Sequence, residues 1–278
     1  MPSAEPQRTS PPKDERIGDR DLAHWRSAPG RLVAGWLAHV SVLVGRALRW
    51  SSANIALVLT VVIGLGVVAA LTAGSAEVYE NVVDRDGISV IDQPVLDAAV
   101  RMRTPLADRL ATDFTNIGGP VGMPILALVV AVGLSLSWRR WMPLVLMAIA
   151  SAGSLLITVT GKDLTARTRP PRALAVPPFE SSASFPSGHT LNATVVLGLT
   201  AYLLVIWLRK KRWRAVTIAV ATVLIAAMGL SRVFLGHHWF TDVVAGWAIG
   251  LGWLATVITG HRLRITLARR RRDGPAAG

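Results

Sequence analysis

With 278 residues the chain could hold one or two soluble domains, but 51% hydrophobic residues and a mean hydropathy of +0.44 place it among membrane proteins instead. A formal net charge of +13 could suit a nucleic-acid partner, so the placement of the basic residues decides its meaning. There is no cysteine, which excludes a disulfide framework and a thiol nucleophile.

Residues 1–30 are polar, Pro-rich and charged, with no apolar period, and are expected to form a disordered cytoplasmic tail. Over 31–50, Leu32, Val33, Trp36, Leu37, Val40, Leu43, Val44 and Leu48 recur at helical spacing beside Arg31, His39, Arg46 and Arg49, the pattern of an amphipathic interfacial helix. Six uncharged stretches follow, 50–76, 114–138, 141–161, 181–208, 215–231 and 243–260. Most reach or approach the roughly 20 residues that cross a bilayer, so the sequence predicts an all-α, six-helix membrane bundle over 51–261. The first of them starts too far into the chain, and is too long, for a cleaved signal peptide.

Between the first two spans, 77–113 has apolar residues at three- and four-residue steps and is expected to form short surface helices interrupted at Pro105. Trp138–Arg139–Arg140–Trp141 is a tight basic turn, 170–186 a Pro/Ser-rich loop, and 262–278 a basic tail. With the N-terminus inside, 21 of the 30 Lys and Arg residues fall on the cytoplasmic side, while the other side carries 9 of them and 11 of the 17 acidic residues. That is the asymmetry of the positive-inside rule, so the charge is a topology signal and an attraction to membrane lipids, and no nucleic-acid partner is expected.

Three clusters of ionisable residues lie beside the spans, where such residues are costly and point to function. In 162–170, Lys162 and Arg169 are two helical turns apart if the helix continues, and both can then hold a phosphate dianion. In 185–190, Pro186 suits the first turn of a helix, Ser187 and Gly188 offer N–H groups and a hydroxyl to an anion at its positive end, and His189 stands beside that anion as a proton donor. In 231–242, His238 and Asp242 are four apart and share a face on a helix, with Arg232 as a further cation; metal ligation is a rival reading of this pair alone. Counting spans from an internal N-terminus puts all three clusters at the extracytoplasmic face, with both termini inside. Asp242 is the single nearby carboxylate in this reading, which provides poorly for a metal, and no cofactor is expected.

The motifs Lys162, Arg169–Pro170; Pro186–Ser187–Gly188–His189; and Ser231–Arg232, His238, Asp242 resemble those of the type 2 phosphatidic acid phosphatases, which share their site with vanadium haloperoxidases. The likeness covers about residues 80–260. It implies that His238 attacks phosphorus, that Asp242 orients it, and that His189 protonates the leaving group and later activates water. It further implies that Lys162, Arg169, Ser187, Gly188 and Arg232 hold the phosphate oxygens. Spacing to Arg232 and Asp242 selects His238 over His237. The expected activity is hydrolysis of a lipid phosphate monoester or diphosphate, such as phosphatidate, phosphatidylglycerol phosphate or a polyprenyl diphosphate, in the cell membrane; no oligomeric state follows from it. A lipid phosphotransferase with the same site and a non-enzymatic transporter are the rival readings, and the absence of paired, broken spans in two halves argues against the latter.

Overall fold

The computed structural model describes residues 87–273 without interruption and, before them, only isolated positions between 16 and 80. The tail expected over 1–30, the interfacial helix over 31–50 and the first span therefore lie outside the described residues, apart from scattered helical positions between 55 and 70. Contacts divide the chain into units 1–56 and 57–278. The first contains an antiparallel pairing of Arg16–Ile17 (β1) with Arg20–Asp21 (β2).

A 3-10 turn, Gly87–Ile91, leads into α1 (Asp92–Arg101) and α2 (Pro105–Ile117). The break between them has a local cause. Thr104 is extended and its hydroxyl accepts the Ala107 N–H at 3.2 Å, while Pro105 fits the first helical position, where no N–H is needed. The long helices are α3 (Gly122–Trp138), α4 (Met142–Thr165), α5 (Gly188–Trp207), α6 (Lys211–Phe234) and α7 (Phe240–Asp273). The basic turn between α3 and α4 is as short as expected, with Arg139 in the left-handed region at φ 53°. Residues 262–273, within the stretch read as a basic tail, continue α7.

Among the described residues four helices are long and apolar enough to cross a membrane, and α2 with α3 forms a pair bent by 51° that would make a fifth. The second span, expected to be continuous over 114–138, is thus broken at 118–121, where Gly118, Gly119 and Pro120 end one helix before the next begins. Large apolar side chains lie exposed along the outer faces: Leu128, Val129 and Leu136 on α3, Leu155 and Leu156 on α4, Ile218 and Val223 on α6. Water would not tolerate a surface of this extent, whereas hydrocarbon does.

Helix α5 is the centre of the bundle and packs against α3, α4, α6 and α7. Leu191, Val195, Leu199 and Leu203, each one turn after the last, are all fully buried. Lipid tails are as apolar as these side chains, so close packing rather than escape from water must hold the helices together. The α5–α7 contact shows how: a Cβ on Gly246 would lie 3.0 Å from Thr190 Cβ, and one on Gly250 would lie 2.9 Å from Thr194 Cβ. This Gly-x-x-x-Gly pair lets the two backbones approach closely.

Candidate active site

The end of α4 and the start of the following loop carry the first cluster. Lys162 and Arg169 do not share a continuous helix, because Ala166 turns the chain into the left-handed region at φ 46° and Arg169 precedes Pro170, a position that disfavours helix. They converge all the same. Lys162 Nζ donates to Ser182 Oγ at 3.0 Å and to the Ala183 carbonyl at 2.5 Å, and Arg169 Nε donates to the Ser182 carbonyl at 2.7 Å.

The second cluster stands at the start of α5, whose N-cap is Ser187, so Pro186 precedes the helix instead of occupying its first turn. The Ser187 N–H is not available to an anion: it donates to the Asp242 carbonyl at 3.1 Å. The first-turn N–H groups of Gly188 and His189 have no partner within the helix, as at any helix start, and remain for a ligand. Gly188 is also required sterically, since a Cβ there would lie 2.9 Å from Thr158 Cγ2 on α4. His189 faces the break between α2 and α3, where a Cβ on Gly119 would lie 3.5 Å from its Nε2.

In the third cluster His238 and Asp242 do not share a helical face. His238 precedes α7, and Asp242 is the third residue of that helix, reaching back to accept the Trp239 N–H at 2.9 Å. The two meet nonetheless, His238 Nδ1 lying 3.4 Å from Asp242 Oδ2 and Nε2 lying 3.2 Å from Arg169 Nη1. Burial pushes the His238 pKa well below 6.5, and the neighbouring Arg232 and Arg169 push in the same direction, which leaves a neutral imidazole. His237 is held differently. Its Nε2 is 2.6 Å from the Val176 carbonyl, and its own carbonyl accepts from Arg169 Nη1 at 2.6 Å.

Three further charged residues join the site. Glu180, on the loop, takes Arg169 on one carboxylate oxygen at 2.8 Å and Arg232 on the other. Burial opposes its ionisation, but Arg232 and Arg169 outweigh it and hold its pKa down at about 2. Arg167 donates to Asp242 Oδ1 at 2.5 Å and to Asp92 Oδ2 at 2.7 Å. Asp242 is therefore not the single nearby carboxylate. Glu180 had a signal in the sequence, being the one acidic residue between Asp163 and Asp242, whereas nothing local marks Asp92. Among the described residues no three His, Asp or Glu side chains gather so as to hold a metal ion.

A cavity of about 1030 Å³ joins these parts. Lys162, Glu180, His189, Arg232 and His238 line one end, and Ala127, Leu128, Ala131, Leu144, Met147 and Leu155 continue it between α3 and α4. Leu144 and Lys162 are 18 residues apart on α4, about 27 Å along the helix. A cation-lined head thus opens into an apolar groove of membrane depth. Arg232, almost fully buried, gives one nitrogen to Thr115 Oγ1 at 3.1 Å and one to Glu180, while its Nε has no partner among the described residues. A phosphate oxygen would satisfy such a donor.

The PAP2 superfamily model matches residues 141–265. The chain is 32% identical over 167 residues to phosphatidylglycerophosphatase B of Bacillus subtilis, covering 60% of this chain and 81% of that protein. It is 34% identical over 151 residues to the decaprenylphosphoryl-5-phosphoribose phosphatase of Mycobacterium tuberculosis, covering 52% of this chain and 75% of that one. The crystal structure of a transmembrane PAP2-type phosphatidylglycerolphosphate phosphatase from Bacillus subtilis superposes with a TM-score of 0.65 at 28% identity, over 71% of this chain and 96% of that one.

Proposed function

The chain belongs to the PAP2 superfamily of membrane phosphatases, and on that premise we propose that it hydrolyses a lipid phosphate monoester or diphosphate through a phosphohistidine on His238. The observation that carries this reading is the cavity, in which the three cations Lys162, Arg169 and Arg232 stand at or beside the head of an apolar groove. A soluble sugar phosphate or nucleotide has no use for about 27 Å of apolar wall, whereas a lipid tail has. The relatives act on a phosphatidylglycerophosphate and on a decaprenylphosphoryl phosphoribose by their names, and both kinds of lipid suit the groove.

In the proposed reaction the terminal phosphate displaces Glu180 and lies among Lys162, Arg169, Arg232, the Ser187 hydroxyl and the N–H groups at the start of α5. The neutral His238 Nε2 attacks phosphorus as the bond to the leaving oxygen breaks, and His189 supplies that oxygen with a proton. Asp242 supports the positive charge that develops on the His238 ring. Water then attacks the phosphohistidine, His189 takes its proton, inorganic phosphate leaves and His238 is restored. The cations do the neutralising in this scheme, with no resident metal. By the charge asymmetry of the loops, the site opens to the extracytoplasmic side.

The test is phosphate release by the purified protein in detergent micelles from phosphatidate, phosphatidylglycerol phosphate, a polyprenyl diphosphate and a decaprenylphosphoryl phosphoribose, with and without EDTA. Release from at least one, unchanged by EDTA, is expected. No release from any of them refutes the activity, and loss with EDTA restored by Mg²⁺ refutes the mechanism.

A further inference from the structure

Behind Asp242 lies a largely buried relay of side chains, none of which lines the cavity, that reaches α1, outside the stretch matched by the superfamily model. Arg167 Nη1 donates to Asp242 Oδ1 at 2.5 Å, and its Nη2 donates to Asp92 Oδ2 at 2.7 Å. Asp92 in turn accepts the Thr241 N–H at 2.9 Å and the Thr241 hydroxyl at 2.7 Å, and that same hydroxyl accepts from Arg167 Nη1 at 2.8 Å. The Asp92, Asp242 and Thr241 side chains are buried, and the guanidinium lies 5.8 Å from the centre of the Trp239 ring. Asp92 thus grips the residue next to Asp242 and the cation that holds Asp242.

Charge explains why two carboxylates share one guanidinium. An Arg paired with Asp242 alone would cancel the negative charge that the His238 ring needs as it turns cationic. With Asp92 on the other nitrogen, the two carboxylates and one guanidinium retain one net negative charge, which is the amount that balances one phosphohistidine cation. Ser184 and the Trp239 N–H, at 2.5 and 2.9 Å from Asp242 Oδ2, fix the rest of the carboxylate.

We propose that Asp92 and Arg167 are positioning residues for the His238–Asp242 pair, setting both the orientation and the residual charge of Asp242. The inference rests on the reading of His238 as the nucleophile. Neither residue touches the phosphate cradle, so their loss acts on the chemical step and spares binding.

The experiment compares Asp92→Asn, Asp242→Asn and the double variant with the unaltered chain, reading kcat, KM and the inhibition constant of inorganic phosphate on one lipid phosphate. Asp92→Asn is expected to lower kcat roughly 10- to 100-fold, the scale seen for outer partners of metal-bound histidines, with KM and phosphate inhibition unchanged. The double variant is expected to be no slower than Asp242→Asn alone, because the relay acts only through Asp242. Unchanged kcat, or losses that multiply in the double variant, overturns the proposal. Should Asp92→Asn not fold, Arg167→Lys and Thr241→Val carry the same test, and failure of all three to fold assigns the relay to folding and overturns it as well. If His238→Ala keeps its activity, it is the nucleophile reading that fails; an inactive His238→Ala beside an unimpaired Asp92→Asn refutes the relay alone.

Discussion

Glu180 and Arg232 form an ion pair at the head of the cavity, with the arginine side chain 2% exposed and the glutamate side chain 29% exposed. A buried cation is thereby matched by a carboxylate on a loop, and an incoming phosphate dianion offers the same cation a stronger partner. Glu180→Gln removes the competitor. The variant is expected to lower KM and the inhibition constant of inorganic phosphate by roughly three- to tenfold, as fits about 1 kcal/mol for a pair with one partly exposed member. A folded Glu180→Gln protein with a raised KM would show that the carboxylate assists binding instead.

The two adjacent histidines give opposite expectations. His238→Ala should abolish both turnover and labelling of the protein from a phosphorus-labelled substrate, while His237→Ala should keep the label, because its ring is tied to the Val176 carbonyl. Acid-labile, base-stable label that survives in His238→Ala and vanishes in His237→Ala would move the nucleophile by one residue.

For His189 the leaving group decides the size of the effect. Loss of a general acid costs about 10² to 10⁴ in rate, and the cost falls as the leaving oxygen becomes less basic. His189→Ala should therefore suffer most on an alkyl monoester and least on nitrophenyl phosphate or a diphosphate. Equal losses on all three substrates would remove the proton-donor role.

His238 does not set the acid limb of activity near pH 6.5, because burial holds its pKa well below 6.5. The free enzyme then keeps a neutral nucleophile as pH falls through 6.5, so kcat/KM should show no loss there that His238 causes. Stability moves the other way: the unfolded chain takes up a proton on this ring below about pH 6.5 and the folded chain does not, so stability falls with pH from that point. Melting temperatures in detergent at pH 7 and 5 should drop less for His238→Asn than for the unaltered chain. An equal drop would show that another group governs the acid side.

Topology is tested by labelling, since the chain has no cysteine of its own. A cysteine at Ser182 is expected to react with an impermeant reagent on intact cells, and one at Arg139 only after the inner face is opened. The reverse pattern would invert the protein.

Spacing and hydropathy by themselves determined that this is a helical membrane protein and singled out the three clusters that the structure brings together, because both are local patterns along the chain. His238, Asp242, Lys162, Arg169 and Arg232 are legible for the same reason: each belongs to a short motif beside an apolar run. How they meet is not local. A helix continuing from Lys162 to Arg169 and a shared face for His238 and Asp242 were reasonable from spacing, but Ala166 turns the chain out of the helix and α7 begins only after His238. The partners of the charges were decided by the tertiary structure alone. Glu180 reaches Arg232 across 52 residues, and Asp92 reaches Arg167 across 75, because buried Arg232 and Asp92 have little water to solvate them and the packing of the helices and loops sets which opposite charge lies within reach. No pattern within a single helix encodes that choice.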